Sequence, residues 1–302
     1  MAAGVEEAVV ILTSPLRTRA RRIAQAIIHI FSVWFVAMLI LPWLDRARRE
    51  AAVTRWARRT LGIFNVRVAV RGSPGQLDAP VMLVANHISW LDMYLLNALL
   101  VSRFVAKSEV ASAPVFGTIA RQLGSIFIRR GSLRDAHRVK GEAAAALRGG
   151  DPISVFPEGT TSDGTLLQFF YPAMFQAAIE AGATIQPIAI RYHHEDGRLN
   201  TAPAYTDEVN LVRSIWAVLC EPVLRAEITF CEPLPAHLTR RELAHRARRS
   251  IAEALDVRVL PPRPRHLPGT RRRDNRESSP AAPTSPGQIA RPSPWTPADD
   301  AA

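Results

Sequence analysis

Residues 81–92 read Val81-Met82-Leu83-Val84-Ala85-Asn86-His87-Ile88-Ser89-Trp90-Leu91-Asp92. Five consecutive apolar residues have the length of a strand buried on both faces, and the run stops at Asn86-His87. A helix is expected over residues 90–101, with Asp92 in its first turn. The same strand-turn-helix alternation continues outward. Strands are expected at 65–70, 103–106, 125–128, 153–156, 185–192 and 225–230, and helices at 115–123, 133–147, 172–181, 211–219 and 240–254. The 133–147 stretch is rich in Ala, follows Ser132 and stops at Gly149-Gly150, so both ends carry helix-boundary signals. Alternation of this kind predicts an α/β domain with a central, mostly parallel sheet flanked by helices.

In such sheets ligands gather beyond the carboxyl ends of the strands. His87 is expected there, five residues before Asp92. Across a strand-to-helix turn that spacing lets the carboxylate hold one imidazole nitrogen as a donor and leave the other to take a proton. Taken alone, the pair equally fits a helix cap beside a surface aspartate. No G-x-S-x-G nucleophile motif is present, so a histidine base here implies a nucleophile supplied by the substrate, such as a hydroxyl.

Phe156-Pro157-Glu158-Gly159-Thr160-Thr161-Ser162-Asp163-Gly164 follows another short apolar run. Amides near Gly159, or in the turn after His87, could meet a developing oxyanion; an ordinary polar turn has the same composition. Lys107, Arg129 and Arg130 follow two further strands and offer cations to a phosphate.

Residues 23–44 contain no Asp, Glu, Lys or Arg. As one helix they would be about 33 Å long, enough for a bilayer core. Arginines flank the segment on both sides: Arg17, Arg19, Arg21 and Arg22 before it, and Arg46, Arg48, Arg49, Arg55, Arg58 and Arg59 after it. The heavier downstream cluster places the main body in the cytoplasm. Pro42, Trp34 and Trp43 equally suit a helix lying in one leaflet. Three regions follow: a membrane-anchoring region over 1–60, a catalytic domain over 61–260, and a Pro- and Arg-rich tail over 261–302 that buries too little apolar surface to fold. With 38 Lys plus Arg against 27 Asp plus Glu, the formal charge is +11, which favours anionic partners. The only cysteines, Cys220 and Cys231, argue against a disulfide framework or structural zinc site. The cluster His193-His194-Glu195-Asp196 precedes a turn at Gly197 and lacks a matching set of metal ligands.

The order of these motifs resembles the lysophosphatidic acid acyltransferase family over roughly residues 60–235. It runs Asn86-His87-x4-Asp92, Gly124-Ser125-Ile126-Phe127-Ile128-Arg129-Arg130, Phe156-Pro157-Glu158-Gly159-Thr160, then Gln186-Pro187-Ile188. The resemblance implies a glycerol-phosphate acyltransferase-like fold and fatty acyl transfer from acyl-CoA or acyl carrier protein to a lysolipid hydroxyl. It implies His87 as general base and Asp92 as its orienting group. Arg130, Glu158, Gly159 and Thr160 would bind the acceptor, with Lys107 helping to hold phosphate. No metal or prosthetic group is implied. The expected partners are a lysolipid, the thioester donor and membrane lipids, with no nucleic acid, at the cytoplasmic face of the inner membrane. Thr161 and Gln168-Phe169-Phe170 stand where the family often carries positive charge. Relatives acting on lyso-ornithine lipid resemble the Thr160–Gly164 run, so two acceptors fit: 1-acylglycerol 3-phosphate, which would give phosphatidic acid, and lyso-ornithine lipid. A non-catalytic basic protein binding anionic membrane or nucleic acid also fits the charge, but leaves the paired strand-end motifs without a role.

Overall fold

The computed structural model describes residues 13–73, 80–129, 132–206 and 210–260. The described residues belong to one compact unit; the expected disordered tail at 261–302 lies outside them.

Helix α1 (Leu16–Leu39) leads through a 3-10 turn (Leu41–Trp43) into α2 (Arg46–Ile63). The apolar run at 23–44 is therefore not one helix. Pro42 has no N–H to donate and restricts the residue before it, so α-helical bonding ends at Leu39. The Asp45 carboxylate then caps α2 by accepting from the Arg48 amide at 2.8 Å. The two helices pack side by side, with His29 Nε2 3.2 Å from Thr60 Oγ1. Arg22, one of the arginines flanking the apolar segment, turns inward and donates to the carbonyls of Glu221 and Pro222 at 3.0 and 3.1 Å.

The main sheet has seven strands: β1 (Val66–Arg71), β2 (Val81–Ala85), β3 (Arg103–Lys107), β4 (Ile126–Ile128), β5 (Ile153–Val155), β7 (Thr184–His193) and β8 (Leu224–Phe230). They lie in the order β1-β8-β7-β2-β5-β3-β4, and every pairing except β7–β8 is parallel. A small two-stranded sheet pairs β6 (Leu166–Leu167) with β9 (Arg258–Val259). Neither was expected from the sequence, because two residues carry no readable periodicity.

β2 shows why the fold has three layers. Successive strand side chains point to opposite faces. Met82 and Val84 join the apolar cluster beneath α6 (Leu133–Arg148), α7 (Gln176–Ala181) and α9 (Arg240–Leu255). Val81, Leu83 and Ala85 join the cluster beneath α2, α3 (Asp92–Asn97) and α8 (Leu211–Cys220). All five are buried, which is why the run is continuously apolar rather than alternating. α3 is shorter than the helix expected at 90–101. The 172–181 stretch splits into a 3-10 turn (Pro172–Phe175) and α7. Two short helices, α4 (Ser108–Ala111) and α5 (Pro114–Gln122), lie between β3 and β4.

Candidate active site

β2 pairs with β5 in register, Val84 opposite Val155, so both chains leave the sheet at the same edge. The turns carrying His87 and Glu158 are thereby forced together. The His87 amide donates to Glu158 Oε1 at 2.7 Å, and the His87 carbonyl accepts from the Ser162 amide at 2.9 Å. The backbone of His87 is thus held from both sides by the second turn. That turn closes with the Gly159 amide donating to the Phe156 carbonyl at 3.0 Å; Gly159 sits at φ 67°, a conformation costly for any residue with a Cβ.

The His87 side chain is oriented by two contacts. Its Nδ1–H donates to Asp92 Oδ2 at 2.8 Å, and its ring stacks on Phe156 with centroids 3.9 Å apart and planes 11° from parallel. Phe104 continues the stack behind Phe156 at 6.0 Å. With Nδ1 committed as a donor to a carboxylate, Nε2 carries the lone pair. The side chain retains 21% of its exposure, so a substrate can reach that nitrogen.

Asp92 is fully buried. Oδ2 also accepts from the amides of Ile88 at 2.7 Å and Ser89 at 2.9 Å, while Oδ1 accepts from the Tyr192 hydroxyl at 2.7 Å. Four donors offset the cost of burying the charge. With the His87 amide held by Glu158 and those of Ile88 and Ser89 held by Asp92, none of these three amides is free to meet an oxyanion.

Glu158 is 3% exposed, and its other oxygen accepts from the Gln168 amide at 3.1 Å. Burial pushes its carboxyl up to about 7; the two amide donors and Arg248 oppose that rise, and the neighbouring Asp92 charge adds to it. A carboxyl raised in the folded state contributes stability that is complete below its ordinary range near 4.5 and is lost as pH rises through about 7. Fully lost, this amounts to ~3 kcal/mol. Glu158→Gln is therefore expected to flatten the fall in melting temperature between pH 5 and pH 8. Parallel melting curves for the variant and the parent protein across that range would contradict the assignment.

The Acyltransferase family pattern matches residues 67–191. A 1-acyl-sn-glycerol-3-phosphate acyltransferase of Neisseria meningitidis is 35% identical over 182 residues, covering 60% of this chain and 71% of that protein. A lyso-ornithine lipid O-acyltransferase of Pseudomonas aeruginosa is 35% identical over 228 residues, covering 74% of this chain and 86% of that one. The chain belongs to the lysophosphatidic acid acyltransferase family. The fold agrees with the crystal structure of a 1-acyl-sn-glycerophosphate acyltransferase from Thermotoga maritima, at a TM-score of 0.61 and 21% identity, over 80% of this chain and 94% of that one.

In this acyltransferase the remaining expected site residues fall less closely together. Thr160 is half-buried in the turn beside Gly159. Lys107 is exposed at the end of β3, two strands from β2, or about 10 Å across the sheet. Arg130 lies outside the described residues. The Thr161 hydroxyl donates to the Tyr205 carbonyl. The acidic residues after His193-His194 pair with arginines, Glu195 with Arg225 and Asp196 with Arg198. Sequence reasoning missed Tyr192. One signal existed: a tyrosine in an expected buried strand needs a partner for its hydroxyl.

Proposed function

We propose that this acyltransferase moves a fatty acyl group from a thioester, acyl-CoA or acyl carrier protein, to the free hydroxyl of 1-acylglycerol 3-phosphate, giving phosphatidic acid. The observation that carries the reading is the His87 imidazole, held at Nδ1 by Asp92 at 2.8 Å and open at Nε2. Nε2 takes the proton as the acceptor oxygen attacks the thioester carbonyl. The tetrahedral intermediate then expels the donor sulfur, which leaves with the proton from the imidazolium. Every step is a proton or acyl transfer, and the reading calls on no metal or prosthetic group.

We place the reaction at the cytoplasmic face of a membrane. Among the described residues α1 is the one helix long and apolar enough to cross a bilayer. Ile28, Phe31, Phe35 and Leu39 on it are more than half exposed, as is Trp43 in the turn that follows. The arginines of α2 supply the positive charge that favours the cytoplasmic side.

Lyso-ornithine lipid is the second reading for the acceptor. It is favoured by Thr161, which stands at a position often basic in the family and is committed to a backbone carbonyl. The test supplies labelled acyl-CoA with equal amounts of 1-acylglycerol 3-phosphate and lyso-ornithine lipid. Labelled phosphatidic acid is expected to dominate. Labelled ornithine lipid as the main product would overturn the acceptor, and failure to label any lysolipid would overturn the reaction.

A further inference from the structure

β7 has ten residues and β2 has five. Their register pairs Ala85 with Ile188, so β7 continues past the end of β2 and runs alongside the turn that carries His87. Two of its residues engage that turn. The Asn86 side chain makes a reciprocal pair with the Ile190 backbone, donating at 2.9 Å and accepting at 2.8 Å. Two residues further on, the Tyr192 hydroxyl reaches Asp92 Oδ1 at 2.7 Å. Tyr192 is completely buried and packs in the cluster that holds Ile88, Leu91 and Leu95.

We propose that Tyr192 is a positioning residue for acyl transfer, completing a relay in which Tyr192 fixes Asp92 and Asp92 fixes the His87 base. The proposal rests on the reading of His87 as general base. Three donors converge on Oδ2, so that oxygen alone would leave the carboxylate free to pivot about it. The Tyr192 bond to Oδ1 removes that freedom, because one carboxylate held at both oxygens by rigid elements has a single orientation. The same bond draws negative charge away from Oδ2 and so moderates the pull of Asp92 on the protonated imidazole. Burial, together with the Asp92 charge, raises the Tyr192 phenol well above its ordinary range, so the hydroxyl stays a donor throughout the working pH range.

The charged and titratable groups around the relay are few. Asp92 opens α3, Glu158 lies in the turn after β5, and Arg248 on α9 is the cation acting on Glu158. Since Glu158 itself titrates near neutrality, the informative quantity is the difference between variant and parent, whose Glu158 contacts are the same.

The experiment uses the full chain in detergent with whichever lysolipid the parent protein acylates, so that a wrong acceptor and a wrong role for Tyr192 are told apart. For Tyr192→Phe, kcat is expected to fall about tenfold, the loss typical of a hydrogen bond to a charged group. KM for donor and acceptor should stay within about twofold, because the residue is buried behind Asp92 and touches neither substrate. The acid limb of kcat/KM should move to higher pH, because an Asp92 relieved of one donor holds the protonated imidazole more tightly. A second protein, with 3-fluorotyrosine at position 192, keeps the ring and the bond but strengthens the donor; its acid limb should move to lower pH. A purely structural role would lower thermal stability without moving the acid limb in opposite directions. Unshifted acid limbs in both proteins would overturn the proposal, as would a loss confined to KM. Should Tyr192→Phe fail to fold, the fluorotyrosine protein decides by the same criterion.

Discussion

His87→Ala is expected to abolish measurable acyl transfer, a loss of about 10³-fold or more, while the protein keeps its fold. General-base assistance contributes roughly 10²–10⁴ in rate, and no other side chain described near the Asp92 carboxylate can take its place. The fold should survive because of where the imidazole sits. Its ring covers one face of Phe156, and the side chain is 21% exposed, so its removal opens a dent to solvent rather than a sealed cavity. The backbone bonds from His87 to Glu158 and Ser162 do not involve the ring and remain. The measurement is thiol release from the thioester donor, with circular dichroism to confirm folding. Robust transfer by the folded variant would sink the assignment of the base.

The second large effect belongs to Asp92. Asp92→Asn is expected to lower kcat by ~10³-fold with little change in melting temperature. The asparagine oxygen can keep the place of Oδ2 and accept from His87, Ile88 and Ser89. The new amide group then faces the Tyr192 hydroxyl, which can turn and accept from it. Packing and hydrogen bonds are conserved, but the negative charge that stabilises the imidazolium is gone. Asp92→Ala does something different. It strands the buried amides of Ile88 and Ser89, at a cost of about 1–3 kcal/mol each, so it should both inactivate and destabilise. Turnover and thermal melting measured on both variants separate charge from structure. An asparagine variant within tenfold of the parent rate would show that the charge is not needed.

The architecture was legible because its signals are local. The continuous apolar run at 81–85 marks a strand buried on both faces and is a strand with those bounds, and the strand expected at 153–156 is present but ends at Val155. Ser132 caps α6 as its position suggested. The N-terminal region was less legible, since hydropathy counts apolar residues without regard to whether the backbone can stay helical. Pro42 ends the bonding pattern inside an unbroken apolar run, and α2 was hidden by a composition so basic that no apolar stripe stands out.

The site divides in the same way. The sequence by itself offered the His87–Asp92 pair, but its five-residue spacing alone fitted a helix cap equally well; the order of the other motifs singled it out, and the structure shows the contact. It also identified the Phe156–Gly159 turn as a partner, through motif order alone. Only the tertiary structure decided what those partners do. The Glu158 carboxyl, expected to bind the acceptor, has both oxygens committed to backbone amides, at His87 and Gln168. The Tyr192 hydroxyl reaches Asp92 from 100 positions away. Such contacts depend on which strands are neighbours, on their register, and on how far β7 extends past the end of β2. These are set by closing long loops and packing two faces of a sheet at once, and no window of sequence contains them.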